Sequence, residues 1–443
     1  MLIHDFLDKL SNIQDNEPCL IHGNLQLTSK DLLQQVDTLA SQIASIINKG
    51  TKVLLKLPCP IAQLIYFLGI IKVGGACILI DSSTSQEVCT KLVTAHTIDL
   101  YIGENFKLPP SAPVVLPEIH LEDIFMGALS SGSTGNPKVI WRDHQSWTRA
   151  FPVQSTVFNL SGRDTLYIAG SLVYTANLNA CLHILSEGGS VVIASNSLPR
   201  TWVEEIITHR ISALFMVPTH YALLLKAMKS PRLQIKSVLT AGAKINVATV
   251  KGLMKFFPHA AINAYYGASE LGHVSYATGN DFLLYRESVG KAFPGVTISI
   301  EDDCIYVKSP YLAPSYRPKA TVEDLGRLDA NGYLYLLGRK QGLINTSGIK
   351  VIPEELEALL LECPGIQDVV VGGIPDSIRG QKVCAWIVKN KSTLTTTAIL
   401  DYCRTKIRSH YCPQVIIFID KLPLMRNGKI DKRKLLQQEV YCD

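Results

Sequence analysis

The chain has 443 residues, of which 47% are apolar and 18% charged, and its formal net charge is +5 at pH 7. This length predicts two or three domains, and the apolar fraction excludes a disordered chain. The slight basic excess does not indicate a nucleic-acid-binding protein. The 11 cysteines form no CxxC pair, and the N-terminus has no export signal. Both features predict reduced thiols in the cytoplasm.

The most apolar run covers Ile61–Ile80 and has about the length of a membrane span. Lys72 and the pair Gly74-Gly75 interrupt it. A helix that ends at the glycines, followed by a short core strand, explains this pattern better. We therefore predict a buried helix and strand, and no stable membrane span.

Between about residues 50 and 340, short β-branched runs alternate with helix-like segments. This alternation predicts an α/β fold with largely parallel sheets. The predicted strands are KVLLKLP, ACILID, LYIGE, DTLYIAG, GSVVIAS, ALFMVP and SVLTAG, and the predicted helices are PIAQLIYFLGIIKV, WVEEIITHR and THYALLLKAMK.

The pattern changes after Ser288, where apolar residues recur with period two and turns fall at Asp302-Asp303 and Asn331-Gly332. This predicts an antiparallel meander or a small barrel. Near Gly338 the pattern changes again and predicts a small α+β unit. Its predicted helices are PEELEALLLEC and TTAILDYCRTKI, and its predicted strands are DVVVGGIP, KVCAWIV and VIIFIDKLP. The predicted fold class is α/β, with a large N-terminal domain (1–339) of two α/β subdomains plus a small β-barrel. A small α+β C-terminal domain (340–443) follows.

The stretch SSGSTGNPK, from Ser130 to Lys138, combines glycines, hydroxyls and a lysine. Glycines let backbone N–H groups converge on an anion, and the lysine adds charge. The spacing differs from the Walker pattern, and no kinase motif set is present. From the residues alone, a phosphate loop and an ordinary turn both remain open.

Three further clusters could bind a nucleotide. In INAYYGASELG, Tyr266 could stack on a base and Glu270 could hold Mg²⁺, although a buried tyrosine and a surface glutamate would look the same. Asp324 and Arg339 flank a predicted hairpin, where a carboxylate could accept hydrogen bonds from ribose hydroxyls. Lys429 follows an Asn-Gly turn, where a lysine is usually only solvated.

Taken together and in order, these clusters resemble the adenylate-forming superfamily of acyl-CoA synthetases, nonribosomal-peptide adenylation domains and luciferases. The resemblance runs from about Asn24 to Leu435. SSGSTGNPK resembles the family's phosphate loop and YGASE its Tyr-Gly-x-Thr/Ser-Glu turn. EDLG resembles its ribose segment, GYLYLLGR its arginine strand and NGKIDKRKL its lysine loop.

The resemblance implies an AMP-forming acid–thiol ligase that uses ATP, Mg²⁺ and CoA, with a mobile C-terminal domain. Lys429 and Glu270 would be catalytic, with Glu270 as the metal ligand. Gln341 would lie at the hinge, and Ser347 and Gly348 would line the pantetheine tunnel. The implied ATP-binding residues are Ser130, Ser131, Gly132, Ser133, Thr134, Gly135, Lys138, Gly242, Tyr266, Gly267, Ser269, Asp324 and Arg339.

Three positions depart from the family pattern. Val139 replaces the glycine that usually follows the loop lysine, Glu323 replaces the glycine before the ribose acid, and Gln341 replaces the usual hinge Asp or Lys. His144 stands where the family often has a histidine, and we interpret it as a packing or capping residue rather than a catalytic one.

The segment Ala169–Leu182 lacks the acidic residue that amino-acid-activating members carry there. An uncompensated ammonium would be costly to bury, so the expected substrate is a fatty or aryl acid. Candidate pocket residues are Val173, Tyr174, Asn177 and His273. CoA is the favoured acceptor. The alternatives are a stand-alone adenylation enzyme that loads a carrier protein, and a non-catalytic paralogue that binds nucleotide or acyl-AMP.

Overall fold

The computed structural model describes residues 1–11, 17–111, 115–130, 138–346, 349–376, 378–390, 393–407, 411–425 and 430–436. The chain divides into two compact units. The first comprises Met1–Ile298 and Val307–Ala320, and the second comprises Ser299–Tyr306 and the chain from Thr321 onward.

The first unit has an α/β pattern throughout. Its strands are β1 (Pro18–His22), β2 (Leu25–Thr28), β3 (Lys52–Leu55), β4 (Ala76–Leu79), β5 (Leu100–Ile102), β6 (Ile124–Ser130), β7 (Lys138–Asp143), β8 (Thr165–Ile168), β9 (Ser190–Ile193), β10 (Ala213–Phe215), β11 (Ser237–Ala241), β12 (Ala261–Ala268), β13 (Gly272–Thr278) and β14 (Lys291–Ala292). Its helices are α1 (Phe6–Ser11), α2 (Ser29–Ile43), α3 (Pro60–Lys72), α4 (Gln86–Ala95), α5 (Gln145–Thr148), α6 (Phe151–Val157), α7 (Thr175–Ser186), α8 (Pro199–Thr208), α9 (Pro218–Ala227), α10 (Val247–Phe256) and α11 (Gly279–Leu284).

These strands form two mixed sheets. The larger has the order β14-β13-β12-β11-β10-β8-β9-β1-β2, and the smaller has the order β5-β3-β4-β6-β7. The strands from β8 to β12 run parallel to their neighbours, as do β3 to β6, while antiparallel strands add the edges. The predicted strands and helices in this range are confirmed, as is the α/β class.

The long apolar run is divided as predicted. α3 begins with Pro60 at its first position and ends at Lys72, and β4 starts at Ala76. Between them Gly74 has φ +85°, and a Cβ there would lie 3.1 Å from the Lys49 main chain. Helix and strand are both buried in the large core of this unit. Among the residues that the structure describes, no helix is long and apolar enough to cross a membrane.

The second unit begins with a small antiparallel sheet. It is built from β15 (Thr297–Glu301), β16 (Cys304–Lys308), β17 (Asp324–Leu328) and β18 (Leu334–Arg339), in that order. The period-two pattern allows an antiparallel meander or a small barrel, and the predicted fold class names the barrel, whereas the described strands form a four-stranded meander. The turn between β17 and β18 contains Asn331 and Gly332, with φ +79° at the glycine, as the Asn-Gly pair predicts.

The remainder of the second unit is the predicted α+β fold. Its elements are β19 (Ile344–Thr346), β20 (Ile349–Val351), α12 (Pro353–Leu361), β21 (Ile366–Asp376), β22 (Gly380–Lys389), α13 (Thr396–Lys406), β23 (Val415–Phe418) and α14 (Lys432–Leu436). Its sheet has the order β20-β19-β22-β21, with β23 parallel to β22, and it has its own hydrophobic core. Most of the small meander belongs to this unit. The domain boundary at residues 339/340 stays a prediction.

Candidate active site

The serine- and glycine-rich loop joins two neighbouring strands of the smaller sheet. β6 ends at Ser130 and β7 begins at Lys138, and these two residues are antiparallel partners. The two ends of the loop are therefore held beside each other on adjacent strands. Residues 131–137 lie outside the described part of the chain, as does the side chain of Ser130. The phosphate-binding roles of Ser131, Gly132, Ser133, Thr134 and Gly135 stay predictions.

Lys138, at the end of this loop, has an oriented ammonium group. Its Nζ donates a hydrogen bond of 2.8 Å to Tyr316 Oη and lies 5.5 Å from the centre of the Tyr316 ring. The hydrogen bond that Lys138 donates to Tyr316 raises the pKa of Lys138, and the nearby Glu270 carboxylate adds to the rise. Lys138 therefore remains a cation near Glu270, as binding a polyphosphate requires.

The Tyr-Gly motif lies at the end of β12, and β13 leads back from it. Gly267 pairs with His273, and a Cβ on Gly267 would lie 2.3 Å from the Gly272 carbonyl oxygen. Gly272 has φ +72°, and its Cβ would lie 2.8 Å from the Tyr311 carbonyl oxygen. Only glycine fits at either position. The two glycines make the turn tight and bring Ser269 and Glu270, both half-buried, to its tip.

Gly242 and Tyr266 come from neighbouring parallel strands. β11 ends at Ala241, whose partner in β12 is Tyr265. The carboxyl ends of parallel strands meet at one edge of a sheet, where α/β proteins usually bind ligands. The exposed Gly242, with φ +84°, therefore lies beside the half-buried Tyr266. This placement agrees with the predicted adenine site, and the assignment itself stays a prediction.

The predicted acyl-pocket residues surround the start of α7. Thr175 Oγ1 lies 3.4 Å from Ser269 Oγ, so this end of the helix reaches the Tyr-Gly turn. Val173 and Tyr174 are half-buried just before it. Asn177 is buried and donates its amide hydrogen to the Ser171 carbonyl at 2.8 Å. Asn177 therefore holds the preceding loop, and its contact with a substrate stays a prediction.

His273 is buried in a cluster of aromatic rings. Its ring centre lies 4.5 Å from that of Tyr265 and 4.9 Å from that of Phe293, and its Nε2 has no hydrogen-bond partner. Burial lowers the pKa of His273 to about 3. The structure places it beside the motif turn, and its role in an acyl pocket stays a prediction. His144 is buried too and accepts a hydrogen bond from the Ile3 N–H, which agrees with a packing role.

We expect His273 to make the protein less stable in acid. Its folded-state pKa is depressed, so its contribution to stability is complete above the unfolded pKa of about 6.5 and is lost as the pH falls toward 3. His273→Phe, which suits the aromatic neighbours, should lose about 2 kcal/mol less stability between pH 7 and pH 5 than the wild type. Guanidinium unfolding at both pH values tests this. Equal pH dependence in the two proteins would contradict it.

In the second unit, Asp324 and Arg339 lie directly opposite each other on β17 and β18. Arg339 Nε donates a hydrogen bond of 2.8 Å to Asp324 Oδ1. The Asp324 residue is 6% exposed, whereas the arginine is largely exposed. The pair presents a fixed acceptor with a cation beside it, which suits the predicted recognition of ribose hydroxyls.

Glu323 explains one departure from the family pattern. Its φ is +62°, in the left-handed region that glycine adopts without a Cβ penalty. Main-chain hydrogen bonds hold it in this conformation, since its N–H donates to Thr321 Oγ1 and its carbonyl accepts from the Lys340 N–H, each at 2.9 Å. The backbone at this position needs a left-handed conformation, which the family's glycine adopts without strain. In this chain Glu323 adopts the same conformation with strain.

Glu323→Gly should consequently be more stable than Glu323→Ala. Both variants remove the carboxylate, and only alanine keeps the Cβ that clashes in the left-handed region. We expect a difference of about 1 kcal/mol in the free energy of unfolding. Denaturant unfolding of the two variants measures it, and an alanine variant as stable as the glycine variant would show that the strain is absent.

Several predicted residues lie outside the described part of the chain. These are Ser347, Gly348 and Lys429. Leu424 and Ile430, on either side of the lysine loop, pair as an isolated antiparallel bridge, so the two ends of that loop are close together. Gln341 lies in a 3₁₀ turn, Lys340–Gly342, immediately after Arg339. Its role as a hinge stays a prediction.

The metal-binding potential of the chain rests on single carboxylates. Among the described residues, no group of three or more His, Cys, Asp or Glu side chains could hold a metal ion. Mg²⁺ commonly uses one or two carboxylates and takes its other ligands from phosphates and water. Glu270, half-buried at the turn and close to Lys138, fits that mode of binding.

Sequence reasoning missed Arg142, Asp143 and Arg317. Arg142 is 1% exposed, and its guanidinium donates to main-chain carbonyls that include that of Ser269. Asp143 is fully buried and forms two hydrogen bonds of 2.8 Å with the Arg317 guanidinium. The available signal was an Arg-Asp pair inside the otherwise apolar strand VIWRD, where a charged residue needs a partner.

Comparisons with known proteins agree over most of the chain. Residues 96–316 match the AMP-binding enzyme family, and residues 355–429 match the AMP-binding enzyme C-terminal domain. The chain is similar to an uncharacterized acyl-CoA ligase of Bacillus subtilis, with 31% identity over 94% of each chain. It is also similar to a putative long chain fatty acid-CoA ligase of Staphylococcus epidermidis, with 24% identity over 98% of this chain and 97% of that one.

Two solved structures share the fold over nearly the whole length. One is ATP-bound MatB from Rhodopseudomonas palustris, with a TM-score of 0.84 and 20% identity over 100% of both chains. The other is o-succinylbenzoate CoA synthetase from Bacillus subtilis with its acyl-adenylate intermediate. It has a TM-score of 0.85 and 20% identity over 99% of this chain and 98% of that one.

Proposed function

Because this chain belongs to the family of AMP-binding enzymes, we propose that it is an acyl-CoA synthetase. It joins a carboxylic acid to the AMP part of ATP and releases pyrophosphate, and it then transfers the acyl group to the thiol of CoA with release of AMP. One observation carries this proposal. Lys138 at the end of the loop lies near Glu270 at the motif turn, although 132 positions separate them, so a cation and a carboxylate lie near each other where ATP and Mg²⁺ would bind.

The first unit supplies the groups for the triphosphate and adenine. Lys138 and the loop before it bind the departing pyrophosphate, Ser269 contacts a phosphate, and Tyr266 packs on the adenine beside Gly242. The glycine at position 267 allows close approach of the nucleotide. Glu270 holds Mg²⁺, which neutralises the phosphate oxygens and makes the α-phosphorus a better electrophile.

The second unit supplies the ribose and catalytic groups. Asp324 accepts hydrogen bonds from the ribose hydroxyls, and Arg339 keeps that carboxylate in place. Lys429 stabilises the charge that builds up as the carboxylate attacks the α-phosphate. Ser347 and Gly348 line the path of the pantetheine arm, and Gln341 is the hinge at which the C-terminal domain changes orientation between the two half-reactions.

The acid is proposed to be a fatty or aryl acid. Val173 and Tyr174 are half-buried just before Thr175, which contacts Ser269, and Asn177 donates its amide hydrogen to the Ser171 carbonyl. No Asp or Glu stands between Ala169 and Leu182 to balance a substrate ammonium. His273, kept neutral by burial, suits a pocket for an uncharged acyl group. The cysteines that the structure describes form no disulfide bond, which supports a cytoplasmic location.

Release of pyrophosphate from MgATP with a panel of fatty, aryl and amino acids tests the proposal. We expect release with a fatty or aryl acid, and acyl-CoA only when CoA is added. Release without acyl-CoA would move the acceptor to a carrier protein, and preference for an amino acid would overturn the substrate class. ATP binding without release with any acid in the panel would favour a non-catalytic paralogue.

A further inference from the structure

Arg142 lies beneath the motif turn and binds only main-chain carbonyls among its described contacts. One terminal nitrogen donates to the Ser269 carbonyl at 3.0 Å and approaches the Glu270 carbonyl at 3.5 Å. The other donates to the carbonyls of Tyr311 at 2.7 Å and Ser146 at 3.1 Å. The planar guanidinium therefore connects β7 with two distant segments in one plane.

We propose that Arg142 is a positioning residue that fixes the Ser269–Glu270 turn so that Glu270 can bind Mg²⁺. This role rests on the proposed function of that turn. The Glu270 carbonyl also accepts a hydrogen bond of 2.9 Å from the Ala313 N–H. The main chain on both sides of the Glu270 peptide is thus held, which limits where its carboxylate can point.

The burial of Arg142 indicates a role beyond packing. Its side chain is 1% exposed, its Nε has no partner, and the adjacent Asp143 carboxylate is directed to Arg317. Burial lowers the pKa of Arg142 to about 9. A buried charge without a direct carboxylate partner costs stability, and an apolar residue of similar size usually packs there more favourably. A cation kept beside the turn is explained if it holds the main-chain carbonyls of Ser269 and Glu270 in place.

The same strand also holds the loop lysine. Lys138 and Arg142 lie on one face of β7 because side chains alternate along a strand. Tyr316 binds Lys138, and the next residue, Arg317, is bound to Asp143 by two hydrogen bonds. β7 and the segment Pro314–Arg317 are therefore tied at both ends, and Arg142 connects this pair to the motif turn.

The test compares Arg142→Met, Arg142→Lys and the control Gln154→Met. Gln154 is 2% exposed and its Nε2 has no partner, so its replacement also changes a buried polar side chain, away from the turn. The readout is the Mg²⁺ concentration that gives half-maximal pyrophosphate release, together with kcat and KM for the acid. Thermal unfolding of each variant checks the fold.

We expect Arg142→Met to raise the Mg²⁺ requirement by about tenfold or more, as loss of a group behind a metal ligand usually does. The KM for the acid should change little. Arg142→Lys should recover part of the loss, and Gln154→Met should behave like the wild type. An unchanged Mg²⁺ requirement in folded Arg142→Met, or the same shift in Gln154→Met, would overturn the proposal. If Arg142→Met does not fold, the Mg²⁺ requirement of Arg142→Lys decides.

A binding measurement separates this proposal from the proposed function. Calorimetric titration of ATP at a series of Mg²⁺ concentrations requires no turnover. If the wild type releases no pyrophosphate with any acid but binds MgATP, a higher Mg²⁺ requirement for ATP binding in Arg142→Met still supports positioning of Glu270. Identical Mg²⁺ dependence in both proteins would overturn it.

Discussion

Lys429→Ala is expected to lower acid-dependent pyrophosphate release by about a hundredfold or more. The attacking carboxylate and the α-phosphate carry like charges, and a fixed cation between them stabilises the transition state more than the separate substrates. The loss should appear mainly in kcat, with a small change in the KM for ATP, because other groups hold the nucleotide.

Two controls make this prediction specific. Lys434 is an exposed lysine in the nearby helix α14, and Lys434→Ala should retain wild-type activity. Supplied with synthetic acyl-AMP and CoA, Lys429→Ala should still form the thioester, since the lysine acts on the first step only. Equal loss of both half-reactions, or full activity in Lys429→Ala, would contradict this role.

Glu270→Gln is expected to reduce pyrophosphate release by a similar factor, about a hundredfold, at ordinary Mg²⁺ concentrations. The amide keeps the size of the side chain but removes the negative charge that binds Mg²⁺. Excess Mg²⁺ should therefore restore part of the rate, which it could not do if Glu270 only supported the fold. Initial rates over a range of Mg²⁺ concentrations measure this.

Glu204→Gln is the matched control for Glu270→Gln. Glu204 is exposed on α8, and its replacement should leave the Mg²⁺ dependence unchanged. A Glu270→Gln enzyme with the wild-type Mg²⁺ requirement would assign the metal to other ligands.

The fold of the first unit was predictable because buried parallel strands leave a clear pattern. SVLTAG and ALFMVP are continuous apolar runs, since both faces of β10 and β11 are covered. The first and last residues of the helices and strands were predicted less accurately. α8 begins at Pro199, three residues before the predicted start at Trp202, because proline is favoured in the first turn. Period-two alternation could not separate a meander from a barrel, because the period is the same whether or not a sheet closes.

Part of the candidate site was predictable from the sequence and part was not. Lys138, Glu270, Asp324 and Arg339 lie in motifs whose order resembles a family, and the structure brings Lys138 close to Glu270 and Asp324 to Arg339. The contact between Arg142 and Ser269 spans 127 positions. It involves a main-chain carbonyl, which carries no residue-specific signal. The sequence could show only that the otherwise apolar stretch VIWRD contained a charged residue, Arg142, without an evident partner.

The most direct test of acid activation uses a substrate acid with both carboxylate oxygens labelled with ¹⁸O. The carboxylate oxygen that attacks the α-phosphorus becomes the bridging atom of acyl-AMP, and it leaves with AMP when the CoA thiol attacks the carbonyl carbon. We predict AMP that carries one ¹⁸O and acyl-CoA that retains one. Unlabelled AMP, or label found in inorganic phosphate together with ADP, would contradict adenylation.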